Sequence, residues 1–141
     1  MMIEEKKPEN GVKKLINPPG TEGIYEKMKF SQAVRTGKRI WVSGQVGMDE
    51  KWRTGVGIEA QARIAFRNLE RVLSDAGATL DDIVELMTFH TSMADMPVFS
   101  RVKSEFISRD YPAWTAIGVK ELVLPGLLVE IRATAVVENA S

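Results

Sequence analysis

From Ile58 to Ala76, the residues Ile58, Ala62, Ala65, Phe66, Leu69, Val72, Leu73 and Ala76 recur at offsets of three and four, which predicts the buried stripe of an α-helix. Glu59, Arg63, Arg67, Glu70, Arg71 and Asp75 take the other side as a solvated face, and Gly77 can adopt the left-handed conformation that stops a helix. A second amphipathic helix is expected from near Asp95, with an acidic cap there. Pro97 falls in its first turn, Val98, Phe99, Val102, Phe106 and Ile107 keep helical spacing, and the helix should end before Tyr111-Pro112.

Elsewhere the pattern is that of strands. Val12 to Ile16 predicts a short first strand, NPPGTEG a turn-rich link, and MKFSQAVRTGKRIWVSGQVGM a hairpin around Thr36-Gly37-Lys38. Asp49 to Gly57, broken by glycines, predicts a flexible loop in which Trp52 and Arg53 could cover a ligand. IVELMTFHTSM and WTAIGV read as further strands, with KELVLPG as a turn after the second. In the closing LLVEIRATAVV, Val129, Ile131, Ala133, Ala135 and Val137 share one face and should pack on helices. Leu128, Glu130, Arg132, Thr134 and Val136 share the other, where the carboxylate and guanidinium stand about 7 Å apart by strand rise.

The order β, β-β, α, β, α, β, β predicts an α+β domain, one mixed sheet with both helices on one side. The opposite face, with Leu128, Val136 and the neighbourhood of Phe30, is too apolar to be left in water, which predicts burial between subunits. Residues 1–10 are charged and should form a mobile tail, leaving residues 11–141 as a single domain.

Composition narrows the chemistry. Nineteen basic residues balance nineteen acidic ones, so no net field favours nucleic acid or an anionic membrane. No cysteine and a single histidine, His90, leave no thiolate nucleophile and too few ligands for a transition metal. No apolar run approaches the roughly 20 residues of a membrane span, so a soluble, cytoplasmic protein is expected. His90 in its apolar strand suits a hydrogen-bonded structural role, and the spacing of Ser43, His90 and Asp95 gives no support to a catalytic triad.

FSQAVRTGKRIWVSGQVG, IEAQARIAFRNLERVLSDAGATLDDIVELMTFHTSMADM, PAWTAIGV and LLVEIRATAVV resemble, in order and spacing, the successive signatures of the Rid family. These reactive-intermediate deaminases are also called YjgF or liver perchloric-acid-soluble proteins, and the match runs from about Gly23 to Val137. The resemblance implies a chorismate-mutase-like fold, a homotrimer whose sheets line a central β-barrel, and small-molecule clefts between subunits. Typical members hydrolyse enamines and imines to 2-oxo acids and ammonia without a metal or cofactor; some are described as ribonucleases or translation inhibitors.

Carried over residue by residue, the resemblance makes Ser43 and Gly44 part of a ligand-holding SGQ segment and Glu130 the acid that positions or activates water. Glu130 could equally pair with Arg132 or with a basic residue of a neighbouring subunit. Three positions depart from the pattern: Phe30 stands where the family has a tyrosine, Ala94 where it has an asparagine, and Trp114 where it has the arginine that grips a substrate carboxylate. Loss of such a clamp costs on the order of 2 to 5 kcal/mol. Trp114 offers instead a face for stacking and one N–H donor, or it packs at a subunit seam; Thr115 beside it is a candidate hydroxyl donor. The expectation is therefore a cofactor-independent enamine or imine hydrolase whose substrate lacks the usual amino-acid carboxylate. The alternative is a non-catalytic trimer that binds or senses a metabolite, with ribonuclease activity disfavoured by the neutral charge.

Overall fold

A computed structural model describes residues 12–139, so the expected tail at residues 1–10 lies outside the described residues. Six strands form one sheet: β1 (Lys14–Ile16), β2 (Ala33–Thr36), β3 (Arg39–Val46), β4 (Ile83–His90), β5 (Ala113–Gly118) and β6 (Val129–Val136). Their spatial order is β1-β2-β3-β6-β4-β5, antiparallel except for the parallel pair β4 and β5. The helices are α1 (Glu22–Met28), α2 (Gly57–Asp75) and α3 (Met96–Phe106), the last being the crossover between the parallel strands.

Both long helices cover one sheet face, as the periodicity predicts. Ala62, Ala65, Phe66, Leu69 and Leu73 of α2 and Phe99 and Val102 of α3 are fully buried with Val129, Ile131 and Ala135 of β6. Phe66 stacks between Phe99 and Phe106 at centroid distances of 5.7 and 5.1 Å. Gly77 ends α2 at φ +89°, and Arg35, itself buried, donates to the Ala76 carbonyl at 2.7 Å, closing the helix end from the sheet side. The other sheet face leaves Trp41 and Val136 exposed with Phe89, Met87 and Ile117 half-buried.

Three local expectations are corrected. Glu22–Met28 is a helix, not part of a link and strand, and β2 begins only at Ala33. None of the residues of α1 is buried, so it carries no apolar stripe to read; it ends at Lys29 in the left-handed conformation, φ 65°. Asp95 occupies the cap position of α3 but makes no side-chain cap bond, because Met93–Asp95 already turns as a 3₁₀ segment and holds Asp95 in helical rather than extended backbone. The same turn stops β4 at His90, short of the predicted Met93.

Candidate functional site

Against β6 the register of β3 slips between Val42 and Gln45, which places a bulge at Ser43-Gly44. Ser43 is fixed there by its N–H to the Gln32 carbonyl, 2.8 Å, and its hydroxyl to the Ser31 carbonyl, 2.7 Å. Gly44 is needed for space: a Cβ on it would lie 1.9 Å from Oε2 of Glu130 and 2.8 Å from its Cγ. The glycine thus forms the bed on which the Glu130 carboxylate rests.

Glu130 is half-buried, paired across the sheet with Val46 on one side and Phe89 on the other. Burial raises its pKa above the ordinary glutamate value, with no opposing contribution from a hydrogen bond or positive charge. The alternative pairing with Arg132 does not form within the chain: among the described residues no ion pair includes Glu130, and Arg132 is exposed.

The carboxylate opens into a cleft of about 900 Å³, within the range of small-molecule sites. Phe30, Ser43, Gly44, Met48, Trp52 and Glu130 line it, with Ile24, Lys27 and Met28 of α1 and Val123 and Leu124 of the loop before β6. A narrower recess of about 190 Å³ shares Phe30, Gly44 and Trp52 and runs back toward Gln32, Gln45, Asn68 and Arg71. The α1 and Val123-Leu124 walls carried no signal in sequence, since neither segment has a periodic apolar pattern.

The structure brings together Phe30, Ser43, Gly44 and Glu130 but not Trp114 and Thr115. Those two sit on β5, three strand spacings from β3, roughly 14 Å across the sheet. Trp114 faces the helices: its ring packs on Phe99 at 6.0 Å, Lys103 Nζ lies 4.5 Å over it, and its N–H donates to Thr88 Oγ1 at 3.0 Å. Thr115 is exposed on the other face, across from Met87. His90 is fully buried, 2.7 Å from the same Thr88 hydroxyl, while Ser43 is engaged with Ser31, so the two share no contact of the triad kind. No group of three or more His, Cys, Asp or Glu among the described residues is arranged to hold a metal ion. No helix among them is long and apolar enough to cross a membrane.

The profile of the family described as Endoribonuclease L-PSP matches residues 21–137. RutC family protein YjgH of Escherichia coli strain K12 is 38% identical over 122 residues, covering 85% of this chain and 92% of that protein. The chain belongs to the Rid family, also called YjgF or L-PSP. A Rid relative from Dermatophagoides farinae named 2-iminobutanoate/2-iminopropanoate deaminase is 34% identical over 111 residues, 77% of this chain and 86% of that one. The crystal structure of a YjgF/YER057c/UK114 family member from Mycobacterium tuberculosis superposes with a TM-score of 0.79 at 31% identity, covering 89% of this chain and all of that one. The mixed α+β fold, one sheet with helices, is thus the Rid fold, and some Rid relatives carry the name of imine deaminases.

Proposed function

We propose that this Rid protein is a cofactor-independent hydrolase of imines and enamines, acting on a substrate without the usual amino-acid carboxylate. The observation that carries the reading is Glu130: an unpaired, half-buried carboxylate bedded on Gly44 at the wall of a largely apolar cleft. A carboxylate whose pKa is raised by burial is a better base toward water than an exposed one. In the reaction Glu130 takes a proton from water as the oxygen attacks the C=N carbon, forming a carbinolamine. On a protonated imine, Glu130 passes that proton to the carbinolamine nitrogen and then takes the hydroxyl proton as the C–N bond breaks, so one imine and one water give one carbonyl compound and one ammonia. An enamine enters the same route after protonation at carbon.

The proposal includes a homotrimer with the clefts between copies and a sheet-lined barrel at its centre. The exposed or half-buried apolar residues Trp41, Met87, Phe89, Ile117 and Val136 support it, since such a face is costly in water. In that assembly the β5 edge with Trp114 and Thr115 borders a neighbour's cleft, and Trp114 supplies no clamp for a carboxylate. A cytoplasmic setting belongs to the same reading, in keeping with a chain free of cysteine.

Ammonia release decides the matter. A carboxylate-free imine should be turned over faster than its spontaneous hydrolysis, 2-iminobutanoate should be a poor substrate, and Glu130→Gln should abolish turnover while retaining binding. Turnover of 2-iminobutanoate comparable with that of an arginine-bearing relative sinks the substrate assignment. The second reading, a non-catalytic metabolite-binding trimer, is favoured by the loss of the hydroxyl at Phe30; it predicts ligand binding without turnover in the parent protein.

A further inference from the structure

Trp52 stands out because the fold makes no use of its ring. The loop from Met48 to Gly55, expected to be flexible, is closed by its own hydrogen bonds. Asp49 Oδ1 accepts the N–H groups of Lys51 and Arg53, both at 2.9 Å, and Oδ2 pairs with Arg53 Nε at 2.9 Å. Trp52 N–H donates to the Asp49 carbonyl at 2.9 Å, and the Asn68 amide donates to the carbonyls of Val46 and Met48 at 3.0 and 2.9 Å. At the tip of this framework Trp52 holds φ +64°, a backbone region that a bulky side chain enters only when its surroundings impose it. A glycine or asparagine would take that conformation with less strain.

The strain is not offset by burial, because Trp52 is 59% exposed. Trp52 instead lines both the large cleft and the narrow recess, and Phe30 is the other aromatic residue shared by both. Met28 and Met48 complete the surroundings with polarizable side chains that adapt to varied shapes. We infer that Trp52 is the specificity-determining residue of the cleft, a platform fixed by its loop that selects ligands with a flat, conjugated apolar group. Such a ligand stacks on Trp52 beside Phe30 while its polar end meets Glu130. This rests on the proposed function only in taking the cleft as the ligand site; it holds whether or not the bound compound is hydrolysed.

The test measures dissociation constants of the full-length protein for two stable, uncharged amides, cinnamamide and butanamide, by calorimetry. Cinnamamide should bind at least about tenfold tighter, the scale of an aromatic stacking contact together with its buried area. Trp52→Ala should remove that preference by weakening cinnamamide alone, and Trp52→Phe should keep most of it. Trp52→Gly should lose the preference while raising the melting temperature, since it relieves the backbone. Equal affinity for the two amides, no binding of either at about millimolar concentration, or an equal loss of both in Trp52→Ala overturns the inference. So does a Trp52→Ala protein that changes its oligomeric state with the preference intact. A parent protein that releases no ammonia from any imine yet keeps the cinnamamide preference defeats the catalytic reading and leaves this one standing.

Discussion

Replacing Thr88 by valine removes one hydroxyl and almost no volume, and it tests what Trp114 does in this fold. Thr88 and His90 are both fully buried. Thr88 Oγ1 accepts the Trp114 indole N–H at 3.0 Å and lies 2.7 Å from His90 Nε2. An indole nitrogen only donates, so the Thr88 oxygen accepts from Trp114, and the same hydroxyl shares a second hydrogen bond with His90 Nε2. His90 Nδ1 finds no partner among the described residues, so the histidine already depends on one good bond. Thr88→Val deletes two hydrogen bonds worth about 1 kcal/mol each and strands a fully buried Nε2, for a loss of about 2 to 4 kcal/mol. Trp114→Phe removes only the donor and part of the ring, at about 1 to 2 kcal/mol. Because the two changes break the same bond, the double variant should cost less than the sum by about 1 kcal/mol. Urea unfolding at one fixed protein concentration, with unchanged m-values, reads all four corners of the cycle. Additive effects, or a loss of less than about 0.5 kcal/mol in Thr88→Val, would refute the view that Trp114 is held by this relay.

Two further outcomes follow from the site. Gly44→Ala must push its Cβ against Glu130, so the carboxylate should be displaced and every Glu130-dependent activity lost, at a stability cost of about 1 to 3 kcal/mol with the circular dichroism spectrum retained. Burial raises the folded-state pKa of Glu130, so the folded protein favours the protonated acid and loses stability as pH rises through that pKa. Glu130→Gln lacks that dependence; it should match or exceed the parent in melting temperature at neutral pH, and the gap should narrow as the medium is acidified. A neutral-pH melting temperature clearly below that of the parent would contradict the burial argument.

The elements legible in sequence are those whose neighbours lie close along the chain. The 3.6-residue stripe of Ile58 to Ala76 became α2 within one residue at each end, and the alternation of Val129 to Ala135 divided the faces of β6 correctly. The helix α1 was not legible, since a segment without buried residues leaves no periodic trace. Asp95 shows the opposite failure: the residue type suits a cap, but the preceding 3₁₀ turn holds its backbone in the wrong region.

The candidate site divides along the same line. Residue identities alone determined that no cysteine nucleophile exists, that Glu130 and Arg132 share a strand face, and that Trp114 stands where the Rid pattern has arginine. Only the tertiary structure decided that Glu130 meets Gly44 rather than Arg132, that Trp114 turns toward Phe99 and Thr88, and that Trp52 reaches the cleft. The physical reason is that a side chain's periodicity reports which face it occupies, whereas its partner on that face is set by strand register, bulges and loop closure between segments far apart in the chain.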